Sequence, residues 1–124
     1  MSSFDSRVSK RTVFAVIRVV GFHAWEGAPP RVGYLSSSHR HVFTIRAEYV
    51  VSHGDRDVEF HIAQGWLRDA VSTVWSHNGD GYQFGGMSCE DIAERLCHGL
   101  SVKPNAIEVW EDDENGSRVE FESA

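Results

Sequence analysis

The sequence predicts an α+β fold in the order ββααββ, a four-stranded antiparallel sheet with two helices on one face. Three observations carry this. Long β-branched runs occupy the first and second quarters of the chain, where Val, Ile and Thr suit a pleated surface. The middle carries two stretches of helical periodicity. A short hairpin pattern closes the chain. With 124 residues, 41% of them hydrophobic, the length fits one domain with a modest core. The reading places a polar lead-in at 1–11 and a single domain at 12–124.

The first strand starts near Thr12 and runs through Thr12-Val13-Phe14-Ala15-Val16-Ile17 to about Glu26. Pro29 and Pro30 forbid a continuing ladder, so 27–33 reads as a loop. The second strand spans about His39 to His53. A first helix is expected over roughly His61 to Trp75, with Ile62, Ala63, Trp66, Leu67, Ala70, Val71 and Val74 on one apolar face. His77-Asn78-Gly79-Asp80-Gly81 ends it, and Gly85-Gly86 marks another loop. Ser88 and Asp91 have near capping-box spacing before a second helix, Cys89 to His98, closed by Gly99. The third strand is Ala106–Glu111. An acidic turn over 112–116 leads to the last strand, Ser117–Phe121. Helices on one face leave the other face uncovered, so association of several copies through sheet edges is expected.

Composition narrows the function. The net charge of -6 argues against a general nucleic-acid binder, which needs a basic patch. The sequence contains no apolar stretch long enough to span a membrane and no signal-peptide pattern at its start. Cys89 and Cys97, the two cysteines, read as free thiols. A cytoplasmic protein is expected.

The chemistry concentrates in histidines. His39 and His41 are two apart on a strand and so share a face. Antiparallel pairing of the first two strands brings His23 opposite them. Three neutral imidazoles with an open fourth position describe a catalytic Zn2+ site, able to polarise a carbonyl or hydroxyl. A lone H-x-H pair is a weak signal, and His23 at the matching strand end strengthens it. His77 stands in a loop, where chemistry often resides. Glu111 ends a strand, where a carboxylate can accept two hydrogen bonds from an amino-pyrimidinone edge. The plainer alternative places it in a solvated acidic run.

Five segments, Phe22-His23-Ala24, Ser38-His39-Arg40-His41, Asp57-Val58-Glu59-Phe60, Met87-Ser88-Cys89-Glu90-Asp91-Ile92-Ala93 and Val109-Trp110-Glu111, follow one another in a familiar order. Together they resemble the 6-pyruvoyl-tetrahydropterin synthase and 6-carboxy-tetrahydropterin synthase family, small enzymes of the tunnelling fold, over roughly residues 12 to 121. The resemblance implies zinc on His23, His39 and His41, and a pterin ring anchored by Glu111. It also implies a trimeric ring whose hairpins close a barrel, two rings stacking into a hexamer, with active sites at subunit interfaces. The implied substrate is 7,8-dihydroneopterin triphosphate. The implied products feed tetrahydrobiopterin or the 7-deazaguanine route to queuosine.

The chain departs from the family at its proton relay. Leu35 stands where the family has a cysteine, and Arg40 replaces the glycine of the H-G-H motif. Neither Cys89 nor Cys97 stands where the sequence would place a substitute thiol. Ser76-His77 matches the family's Asp-His pair, and Glu59 replaces an aspartate. His77 and Glu59 are therefore the remaining acid–base candidates. Arg40, with Arg18 and Arg31 as alternatives, is the candidate for meeting phosphate. The expected activity is that of a zinc-dependent carbon–oxygen or carbon–carbon lyase, side-chain cleavage included. The alternative is a non-catalytic binder of a pterin or guanine nucleotide on the same fold.

Overall fold

The structure, a computed structural model, describes residues 5–122; the start of the polar lead-in lies outside them. The chain runs β1 (Arg11–His23), a 3-10 helix (Pro30–Ser36), β2 (His39–Val51), α1 (Phe60–Val74), β3 (His77–Asn78), β4 (Gly81–Gly85), α2 (Cys89–Gly99), β5 (Ala106–Glu111) and β6 (Asn115–Glu120). One six-stranded sheet has the order β3-β4-β1-β2-β5-β6.

β1 and β2 form the backbone of the sheet. They pair antiparallel without a break from Arg11↔Val51 to His23↔His39. Ala15 and Ile17 of β1, Phe43, Ile45 and Ala47 of β2, and Ile107 and Val109 of β5 alternate onto one face and are buried. Ala63, Leu67 and Val71 of α1 and Ile92, Ala93 and Leu96 of α2 close over them. Full burial of each large aliphatic side chain contributes about 1.5–3 kcal/mol. Helix propensity alone would not hold helices this short. Ile62, expected on the inward stripe of α1, is exposed at 57%.

The sheet is mixed and six-stranded, where four antiparallel strands were expected. The added hairpin, β3 and β4, comes from the stretch read as loops. Tyr82 and Phe84 alternate inward across Gln83, and their rings stack against each other. β4 runs parallel to β1 beside Gly21, Phe22 and His23. Two glycines permit that approach. A Cβ on Gly21 would come within 2.3 Å of the Phe84 ring, and one on Gly81 within 2.6 Å of the Val20 carbonyl oxygen. The predicted loop before β2 likewise contains the 3-10 helix, with Pro at its start, where a missing N–H costs nothing.

The face opposite the helices mixes a charged network with apolar side chains, among them Val16, Trp110 and Phe14, whose ring lies under Arg46. Register aligns Arg46 with Glu108 and Glu108 with Arg118. Among the described residues, β4 covers only the last residues of β1, so the Arg11–Val20 edge has no strand beside it. No helix is long and apolar enough to cross a membrane among the described residues.

Candidate metal centre

The paired ends of β1 and β2 place His23 directly opposite His39, with His41 one same-face step along β2. The three rings meet edge to face, their centroids 4.5, 5.0 and 5.3 Å apart. One ring nitrogen from each lies within 4.8 Å of the others. The Phe43 ring packs beneath His23 and His41 and backs the cluster with apolar surface.

Each imidazole is held from behind. Nδ1 of His23 lies 2.8 Å from the Met87 carbonyl oxygen. Nδ1 of His39 lies 2.8 Å from the Ser37 carbonyl oxygen. Nδ1 of His41 lies 2.7 Å from Asp112 Oδ2. Carbonyls and carboxylates only accept, so all three Nδ1 atoms carry the proton and donate. A neutral ring fixed this way turns a bare lone pair on Nε2 into the centre. Burial holds the His23 pKa below its ordinary value, against the opposing pull of its bond to Met87 and the charge of Glu111. The neutral form is thus favoured.

Glu111, at the end of β5, turns toward the same point. Its Oε2 is 3.0 Å from His23 Nε2 and its Oε1 is 3.6 Å from His41 Nε2. Lone pairs facing a carboxylate at these distances repel unless a positive charge lies among them. The Nε2 atom of His41 is buried and has no hydrogen-bond partner. The donor set, three imidazoles with a carboxylate beside them, suits a divalent transition metal ion. The cluster can hold a metal ion.

A cleft of about 560 Å³ opens over His23 and His39. Trp25, Leu35 and Met87 supply apolar wall, while Ser88, Cys89 and Glu111 supply polar groups. This mixture is typical of small-molecule sites. The site contains a thiol that the sequence reading did not place there. Cys89, the first residue of α2, donates from Sγ to Glu111 Oε2 at 3.6 Å. Burial, and then the neighbouring Glu111 charge, push its pKa up to about 12, so it is a donor rather than a base. The only sequence signal for this was the Ser88 cap. The full capping box, with Ser88 Oγ accepting from Asp91 N, sets where Cys89 points.

Other residues singled out from the sequence lie elsewhere within one chain. Leu35, at the position of the family's thiol, does line the cleft. Glu59 caps α1, accepting from the His61 and Ile62 amides at 3.1 and 3.0 Å. It sits beside Arg11 and Val51, at the far end of the 13-residue β1, roughly 40 Å from the histidines along the strands. His77 lies on the edge strand β3, exposed, its ring against Tyr82. Arg40 falls between His39 and His41, so strand alternation sends it to the opposite face, where it is exposed. The structure therefore brings together His23, His39, His41 and Glu111, and leaves His77, Glu59 and Arg40 apart.

The architecture is broadly that of the tunnelling fold, an α+β layer with a histidine cluster at one end of its longest strand pair. A specific similarity is to the 6-pyruvoyl tetrahydropterin synthase of Caenorhabditis elegans. The two share 14% sequence identity with a TM-score of 0.57, over 94% of this chain and 99% of that one. At this identity the likeness is one of fold. No family model matches the sequence, and no curated protein matches it.

Proposed function

We propose that the chain is a zinc-dependent lyase acting on 7,8-dihydroneopterin triphosphate or a close relative. The observation that carries this reading is the buried, unpartnered Nε2 of His41, grouped with ring nitrogens of His23 and His39, two residues that line a cleft together with Glu111. In this reading His23, His39 and His41 hold Zn2+. When bound, the ion polarises a side-chain hydroxyl or carbonyl of the substrate. Glu111 accepts paired hydrogen bonds from the amino-pyrimidinone edge of the ring. Cys89 steadies that carboxylate by donating to it, and Trp25, Leu35 and Met87 shield the ring from water.

The remaining roles require more than one copy of the chain. The uncovered edges of β1 and β6 support closure of copies into a ring, a trimer or a stacked hexamer, with sites at the interfaces. There His77 and Glu59, remote within one chain, would serve as acid and base from an adjoining copy. Arg40, exposed on the other face of β2 from the cluster, would likewise meet phosphate only across a junction between copies. Residues 12–124 would form one functional domain.

A second reading, a non-catalytic pterin or guanine-nucleotide binder, is favoured by Leu35 in the cleft wall and by the protonated state of Cys89. Neither side chain can act as a thiolate base. Incubation of the zinc-loaded protein with 7,8-dihydroneopterin triphosphate separates the two. A new pterin product with loss of a carbon–oxygen or carbon–carbon bond is expected. Bound but unaltered substrate would establish the binder, and absence of binding would overturn both.

A further inference from the structure

We propose that Asp112 is a positioning residue that fixes His41 as a metal ligand, and that the acidic turn after β5 is shaped for this purpose. The inference rests on the metal-binding reading of the three histidines. The supports behind those histidines are unequal. His23 and His39 lean on neutral backbone carbonyls, while His41 leans on a carboxylate.

The same carboxylate is locked at its other oxygen. The Val42 amide donates to Asp112 Oδ1 at 2.8 Å, and the Asp112 amide donates to the Val42 carbonyl at 2.8 Å. The β2–β5 ladder pairs Phe43 with Glu111, so Asp112 occupies the next rung. Its side chain there replaces the backbone acceptor.

Asp112 and Asp113 have φ of 53° and 56°, the paired left-handed residues of the β5–β6 hairpin turn, closed by the Glu114 amide donating to the Glu111 carbonyl at 3.0 Å. Aspartate tolerates this conformation, and it brings the Asp112 side chain back toward β2. Asp113 anchors the turn separately, accepting from Thr44 Oγ1 at 2.8 Å. Asp113 does not contact His41, which makes it the natural control.

In Asp112→Asn, one amide must serve two donors, the Val42 N–H and the His41 Nδ1–H. If its oxygen keeps Val42, its NH2 faces His41 and moves the ring proton to Nε2, the tautomer that cannot bind metal. Two measurements test this. Chelator competition should show Zn2+ affinity about 10–100-fold lower in Asp112→Asn. Asp113→Asn should remain within roughly threefold of the parent, since an exposed carboxylate remote from the ligand adds little. Long-range 1H–15N spectra of the metal-free proteins should show His41 protonated on Nδ1 in the parent and in Asp113→Asn, and on Nε2 in Asp112→Asn.

Equal losses in both variants, or a parent-like tautomer and affinity in Asp112→Asn, would overturn the proposal while leaving the metal site standing. A parent protein that fails to bind Zn2+ would overturn the metal reading instead. In that case the tautomer spectra alone would decide whether Asp112 positions His41.

Discussion

Two polar clusters share strands β2 and β5 but lie on opposite faces of the sheet, and they are built in opposite ways. On the open face Arg46 and Arg118 meet Glu48 and Glu108. Arg46 reaches Glu108 at 2.7 Å, Arg118 reaches Glu108 at 2.9 Å, and Arg118 also bonds to both oxygens of Glu48. Trp110 Nε1 adds a bond to Glu108 at 2.9 Å. Each carboxylate there has cationic partners. On the helix-covered face three imidazoles and the Glu111 carboxylate converge, and among the described residues no Arg or Lys forms an ion pair with them. A buried network that serves only the fold closes on itself. A site left short of positive charge is arranged for something that the chain does not supply.

The sharpest way to break this contrast is at Glu111. If its carboxylate anchors ligand, Glu111→Gln should retain zinc but bind pterin about 100-fold more weakly, the scale of losing charge-assisted hydrogen bonds. Zinc analysis and ligand titration of the same preparation check this. Loss of zinc itself would instead make Glu111 a metal ligand.

The open face should respond in stability alone. Glu108→Gln should lower unfolding free energy in urea by about 1–3 kcal/mol and leave zinc content unchanged. Burial works against the charge on Glu108, but hydrogen bonds from Trp110, Arg46 and Arg118 outweigh it and keep its carboxyl below the ordinary value of 4.5. A depressed folded pKa means that the unfolded chain takes up the proton first. The stabilisation is therefore present above about pH 4.5 and is lost as pH falls through the folded value. The Glu108→Gln variant should show a flatter acid limb than the parent.

Much of the histidine cluster was legible because it depends on two simple periods. Alternation puts His39 and His41 on one face, and antiparallel pairing brings His23 to them. Glu111 was legible as the end of a strand. The β3–β4 hairpin was not, because Tyr82 and Phe84 form too short an alternation between glycines, and those glycines matter through contacts with Phe84 and Val20 on other elements. Asp112 read as part of a solvated acidic run. Its use depends on a left-handed backbone and a cross-strand bond, neither of which has a sequence period. Cys89 was hidden for a similar reason, since its direction comes from the start of α2 docking beside β5.

The most direct test of the central claim is zinc stoichiometry of the metal-free protein titrated with Zn2+, in the parent and in His41→Ala. The account predicts stoichiometric, tight binding in the parent and its loss in the variant, with the fold retained by circular dichroism. A parent that binds no zinc, or a His41→Ala protein that binds it as tightly as the parent, would contradict it.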